Sequence, residues 1–427
     1  HHPCSVPVLD PGSLGNGPLC RSFSHLDPLT EPRQMASALL FSLQTAGPDC
    51  GIRIENTSAV TAFLTAAAHA SVSSRLVLIL DYDLTMSAST TSECHHMLRD
   101  AAALPVAFRE EVRTLFAATD KGHPEHKAIF GQPDHADRPH RFCMHYNLLL
   151  IRHGITVRMI EDAVAEEKAA RGALLRPGVG ELLSLCDARG VTVVVLSAGI
   201  DAVIRAACAQ DSVELPASCH LLTNHLLFNE AGCCIAVEPS PTPASREGKL
   251  LLLTSQDTLA DKDLVLMVGD KPVDALVARG LPPLRHDGTG GLFHRQTLSF
   301  GFYNTAGESS MATSSLQDYR ETFDILAEFG DACSFAPLVA MLSCLLEQET
   351  VSSDSVTRAI QAESHMQHQP QPIHERLLDE LMAHMQTRVG ELRHALNANA
   401  SVQVTIAGED GKPRLITEQN RTEQNRT

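Results

Sequence analysis

The sequence predicts an α/β fold built on a parallel sheet with helices on both faces. Three observations carry that expectation. "LVLIL" at 76–80, "VTVVVLSAGI" at 191–200 and "DLVLMVGD" at 263–270 are apolar runs of strand length, the pattern of strands buried on both faces. From Arg176 onward, strand-like and helix-like segments alternate. All three runs end in polar residues, which places functional groups at the carboxyl edge of the sheet, where open α/β sheets bind ligands.

Taken in order, residues 1–33 are rich in Pro, Gly and Ser without periodicity, the composition of a disordered leader. Segments 34–45 and 57–70 read as helices, the second with Val60, Phe63 and Leu64 on one side and capping oxygens on Asn56, Thr57 and Ser58. The first strand ends at Asp81. Helices are expected at 94–103, 107–118, 142–153 and 156–171. The His-rich stretch "DKGHPEHKAIFGQPDHADRPH" between them reads as a solvated loop, because its spacings match no zinc pattern.

Next comes "RPGVGELLSLCDARG", a helix with Pro177 at its start and Gly190 past its end. The second strand, the helix "DAVIRAACAQ", and short strands in "HLLTNHLLFNEAG" turning at Asn229–Gly232 follow. "GKLLLLTSQDTLA" reads as a helix, and the third strand leads into another. Residues 34–93 and 176–347 are thus expected to form a core, with 94–175 inserted as a helical domain. Residues 348–373 read as a linker. Leu377, Leu381, Met385 and Leu392 stripe a helix at 374–397 that suits its own domain or a partner helix. "SVQVTIAGEDGKPRLIT" alternates like a strand pair, and the duplicated "EQNRTEQNRT" reads as a disordered tail.

Composition narrows the chemistry. A formal net charge of −17 and the absence of Trp argue against a nucleic acid polymer as partner. Twelve cysteines include no CxxC pair, so zinc ribbons and dithiol redox chemistry are unsupported. Reduced, mostly buried thiols in a cytoplasmic, monomeric protein are the expectation. No apolar run reaches the roughly 20 residues of a membrane helix. P-loop and nucleophile-elbow signatures are absent.

The polar strand ends carry the chemistry. Asp81 and Asp83 flank Tyr82; Ser197, Ala198 and Gly199 close the second strand; Asp270 closes the third, with Asp274 in the turn beyond. Residues i and i+2 of an extended segment point the same way, so Asp81 and Asp83 are expected to face one ligand. With Asp270 and Asp274 they form an oxygen-donor set suited to Mg²⁺ and, through it, a phosphate. Asp81 then serves as nucleophile, Asp83 as general acid and base, and Ser197 with the Ala198 and Gly199 amides as phosphate donors.

That set resembles the haloacid dehalogenase superfamily of phosphohydrolases. "IENTSAVTAFLTAA", "LVLILDYDLTMS", "ECHHML", "VVVLSAGIDAVI", "LLTNHLLFNEAG", "VGDKPVDALVARG" and "GFYN" resemble, in order, the pyrimidine 5'-nucleotidase family over residues 54–347. The resemblance implies a Rossmann-like parallel sheet of the haloacid dehalogenase type with an inserted helical cap. It also implies Mg²⁺ dependence and a nucleoside monophosphate substrate. It asks for a basic residue before the third strand, with Lys249 preferred and Arg246 the alternative. Base contacts would fall near Asp120 and Tyr146, where the family has glutamate and serine. Two other readings stay open: a phosphatase of another small phosphomonoester, and an inactive relative that binds a ligand or partner.

Overall fold

β2 (Leu76–Leu80) is buried at every position, which places it at the centre of the molecule's largest sheet. The protein is described by a computed structural model at residues 43, 50–67, 71–131, 138–238, 243–285, 292–305, 314–343, 345–346, 404–407 and 413–416. The expected leader, the linker, the 374–397 helix, the tail, and all of the 34–45 helix except residue 43 lie outside them. The chain divides into two units, 1–355 and 356–427.

The first unit opens with β1 (Ile52–Ile54) and α1 (Thr57–Ala67), then β2. Five helices follow: α2 (Cys94–Asp100), α3 (Val106–Ala117), α4 (His126–Phe130), α5 (Arg138–Arg152) and α6 (Val157–Arg171). After α7 (Val179–Arg189) come β3 (Thr192–Ile200), α8 (Asp201–Gln210), β4 (Cys219–Phe228) and β5 (Cys234–Glu238). The unit continues through α9 (Arg246–Thr254), β6 (Leu264–Gly269), α10 (Pro272–Arg279), the short strands β7 (Leu284–Arg285) and β8 (Leu292–Phe293), and β9 (Gln296–Phe302). α11 (Leu316–Thr322) and β10 (Ile325–Ala327) follow, and residues 336–343 are helical beyond them.

Eight strands form one sheet in the order β1-β10-β9-β6-β2-β3-β4-β5. The six inner strands run parallel, and β1 and β5 pair antiparallel at the two edges. Period-two alternation sends Leu76, Leu78 and Leu80 into one apolar core and Val77 and Ile79 into another. Leu253 of α9 and Val277 of α10 close the second. Burying the five β2 side chains contributes on the order of 10 kcal/mol before entropy is counted. Asp81 therefore emerges from the most deeply buried part of the molecule.

Three expectations need correction. The His-rich stretch is not simply a solvated loop: α4 lies within it, and α5 begins at Arg138 rather than 142. His126 is buried there and its Nδ1 lies 2.8 Å from the Ala118 carbonyl oxygen, a bond that local spacing does not reveal. "HLLTNHLLF" lies within one ten-residue strand, β4, because it pairs with β3 along its first part and with β5 along its second.

The thiols are not all reduced, since Cys50 and Cys333 are disulfide-bonded with Cα atoms 4.6 Å apart. Antiparallel pairing of β1 with β10 and the Phe329 N–H bond to the Cys50 carbonyl bring together cysteines 283 residues apart. Seven other described cysteines are free. No helix among the described residues is long and apolar enough to cross a membrane.

In the second unit, β11 (Val404–Ala407) and β12 (Pro413–Ile416) pair antiparallel, as the alternating pattern predicts.

Candidate active site

At the carboxyl end of β2 the backbone leaves the sheet at Asp81, whose N–H donates to the Val268 carbonyl of β6 at 2.9 Å. A turn over Tyr82–Met86 follows, with Leu84 at φ 60°. This reversal replaces the extended segment expected from the sequence, so Asp81 and Asp83 find different partners. Two buried groups hold the turn: the Ser87 hydroxyl accepts from the Leu84 N–H at 2.7 Å, and Arg176 donates to the Leu84 and Thr85 carbonyls at 2.7 and 2.9 Å.

Asp81 meets Lys249, whose Nζ lies 2.9 Å from Asp81 Oδ1 and 2.8 Å from Asp274 Oδ1. Lys249 is delivered by α9, where the Ser245 hydroxyl caps the helix by accepting from the Gly248 N–H. Burial alone would discharge this lysine, but Asp274 and Asp81 hold it firmly protonated. Burial pushes the Asp81 carboxyl up to about 6, against the pull of Lys249. Asp83 turns instead to the Cys94 N–H at the start of α2, 2.9 Å from its Oδ1. Burial and the Glu93 carboxylate raise it to about 7, while the Cys94 bond works the other way.

Asp270 follows β6 directly, and burial raises its carboxyl well above the usual range despite Lys271. Tyr319 of α11 donates to its backbone carbonyl at 2.5 Å. Asp81, Asp270 and Asp274 each offer an oxygen within 4.8 Å of the others. Three buried oxygen donors of this kind fit a hard cation such as Mg²⁺. Asp83, expected as a fourth carboxylate, is not in that set. Asp274 is also the residue that fixes Lys249, and its other oxygen accepts from the Lys271 N–H at 3.1 Å.

β3 supplies the opposite wall. Gly199 N–H donates to Ser197 Oγ at 2.9 Å, so in this arrangement the amide serves the loop rather than pointing outward. A Cβ at Gly199 would stand 2.7 Å from Cys94 Sγ, which excludes any larger residue without movement of α2. Asn224 of β4 donates to the Ala198 and Gly199 carbonyls at 2.6 and 3.2 Å. It is fully buried, and a buried amide inside an apolar strand was the one available signal for it.

A sheet edge carrying Asp81 and Asp270, met there by Lys249 of α9 and Asp274 of α10, can hold a phosphate through a cation and a lysine together. The model of the family described as Pyrimidine 5'-nucleotidase (UMPH-1) matches residues 83–333, more than half of the chain.

The chain belongs to the pyrimidine 5'-nucleotidase family.

Among relatives of this family member is the "Putative cytosolic 5'-nucleotidase 3" of Caenorhabditis elegans, 24% identical over 181 residues. The match covers 42% of this chain and 44% of that protein, so the chain spans less than half the length of the curated relative. The crystal structure of cytosolic 5'-nucleotidase IIIB bound to cytidine superposes with a TM-score of 0.55 at 18% identity, covering 73% of this chain and 99% of that one. That likeness is one of fold.

The remaining expected residues separate clearly. Arg246 is exposed one turn before Lys249, so helix geometry brings only the lysine to Asp81. Tyr146 of α5 is fully buried; its hydroxyl donates to the His95 carbonyl at 3.2 Å, and its ring meets the His95 ring edge-on at 4.6 Å. Asp120 is exposed beyond α3, where its carboxylate accepts from the Gly122 N–H at 2.9 Å. Its described bond closes a local turn and does not reach the carboxylate cluster. Sequence reasoning missed Arg176, Asn224, Glu93 and Lys271.

Proposed function

We propose that this chain hydrolyses nucleoside 5'-monophosphates, pyrimidine nucleotides first, to nucleoside and phosphate. The observation that carries the reading is the buried Asp81–Lys249–Asp274 arrangement beside Asp270 at one sheet edge. Membership of the family supports the substrate class. Asp81 and Asp270, with Asp274 or its neighbouring backbone, would hold Mg²⁺, which when bound offsets the charge of the carboxylates and the phosphate.

Asp81 attacks phosphorus, the bond from phosphorus to the 5'-oxygen breaks, and an aspartyl-phosphate forms. Asp83, near 7 and therefore partly protonated at neutral pH, gives its proton to the departing oxygen. As a carboxylate it then takes a proton from the water that attacks the aspartyl-phosphate, which releases phosphate and restores Asp81. Lys249 keeps Asp81 ionised and meets the phosphate charge in a site with little water. The Ser197 hydroxyl proton is available to a phosphate oxygen, because its oxygen is the acceptor for Gly199.

Phosphate release from a panel of nucleoside monophosphates, with and without Mg²⁺, tests the proposal. Asp81→Asn should lower turnover by at least about a thousandfold, or ~4 kcal/mol of barrier, while the fold persists. Activity within about tenfold of the parent rules out the covalent route. Release from other phosphomonoesters with none from nucleotides would move the substrate outside the nucleotide class.

A further inference from the structure

Lys271 lies between two of the site's carboxylates in sequence, directly after Asp270 and at the N-cap of α10. Its backbone N–H is engaged by Asp274, but its side chain runs the other way. Nζ lies 3.3 Å from Glu93 Oε1, and Glu93 is the N-cap residue of α2. The next residue, Cys94, supplies the N–H that holds Asp83. One ion pair therefore spans from the β6 edge to the first helix of the inserted segment, alongside the carboxylate cluster. Its ammonium also interacts electrostatically with Asp270, Asp81 and Asp83.

The two lysines differ in what they can still do. Lys249 has a side chain only 10% exposed and is committed to two carboxylates at 2.8 and 2.9 Å. The Lys271 side chain is 39% exposed and, among the described residues, has one longer ion pair, at 3.3 Å. An ammonium has three donors, so Lys271 can accept an additional anionic partner without leaving a buried carboxylate bare. Four carboxylates, Asp270, Glu93, Asp81 and Asp83, interact with that ammonium, and their charge would repel an arriving phosphate. Lys271 is the more exposed of the two lysines at that group.

We propose that Lys271 contacts the phosphate of the substrate, and that Glu93 is its resting counter-ion, given up in part as the phosphate arrives. The inference rests on the phosphatase reading above and adds to it a second basic contact. Binding of inorganic phosphate in the presence of Mg²⁺, followed by calorimetry on the whole chain, tests it without turnover.

Lys271→Met should weaken phosphate binding by about tenfold or more, as expected for a charge-assisted hydrogen bond, and Lys271→Arg should stay within about threefold of the parent. Glu93→Gln should bind phosphate as tightly as the parent or more so, because the competing carboxylate is gone. Unchanged binding by Lys271→Met overturns the proposal. So does an equal weakening by Glu93→Gln, which would make the pair a strut between the two elements. A parent that releases phosphate from nucleotides separates either result from failure of the functional reading. A parent that neither binds phosphate nor releases it overturns both.

Discussion

Arg176 offers the most direct test of how the site is held. It is 2% exposed and lies 4.2 Å above the Phe302 ring. Nε donates to the Thr85 carbonyl, Nη2 to the Leu84 carbonyl and Asn304 Oδ1, and Nη1 to the Gly330 and Cys333 carbonyls. Burial lowers its pKa to about 10, with Asp270 and Asp331 opposing, so it stays charged at neutral pH.

Arg176→Met would remove every donor while keeping most of the volume. The Leu84 carbonyl would keep Asn304, and the Gly330 carbonyl would keep the Cys333 N–H. The Thr85 and Cys333 carbonyls lose the partner described for them. Two buried carbonyls left bare cost about 2–6 kcal/mol, and relief from burying a charge offsets part of that. A net loss of about 2–4 kcal/mol is expected, a large share of a typical domain's 5–15 kcal/mol. Urea unfolding followed by circular dichroism measures it. Arg176→Lys keeps the charge but loses the planar fork, and should fall between parent and Met variant. A Met variant within about 1 kcal/mol of the parent would refute the claim that Arg176 locks the turn after Asp83.

Two further outcomes follow from the buried charges. Asp81 and Asp83 titrate at about 6 and about 7 when folded, against 3.8 when unexposed to these influences, because burial disfavours their charge. The folded chain therefore holds extra protons, so their contribution is complete below about pH 4 and is lost as pH rises through about 6 and 7, on the order of 3 kcal/mol for Asp81 and 4 for Asp83. His95 runs oppositely, since burial lowers it to about 4 and stability rises with pH up to about 6.5. Above pH 6.5 the rise from the imidazole tapers off while Asp83 is still losing its proton, so the melting midpoint of metal-free protein should fall between pH 6.5 and 8, and saturating Mg²⁺ should reduce the fall. A midpoint that rises over that interval would contradict the sign. Lys249→Met should lower kcat/KM by about a hundredfold, ~2.7 kcal/mol, whereas exposed Arg246→Met should stay within about twofold. Equal losses for the two variants would place the site's cation elsewhere.

The α/β class is legible in the chain's residues alone, because burial on both faces writes itself as uninterrupted apolar runs at β2, β3 and β6. Those runs also pointed to Asp81, Asp270 and Asp274, since acids at the ends of such runs have no reason to be there without a ligand. Both signals are local and periodic. The contacts made across the fold have no period. Exposure separates Lys249 from Arg246, although the two lie on one helix three residues apart. A reversal at Leu84 gives Asp83 to Cys94 rather than to the cluster around Asp81. Arg176 reaches carbonyls 91 residues upstream and 157 downstream, Glu93 meets Lys271 across 178 residues, and Cys50 meets Cys333 across 283. These pairings depend on which polar atoms the sheet order β1-β10-β9-β6-β2-β3-β4-β5 brings within hydrogen-bond reach. A hydrogen bond needs about 3 Å of approach, and separation along the chain says nothing about that distance until the strands are in place.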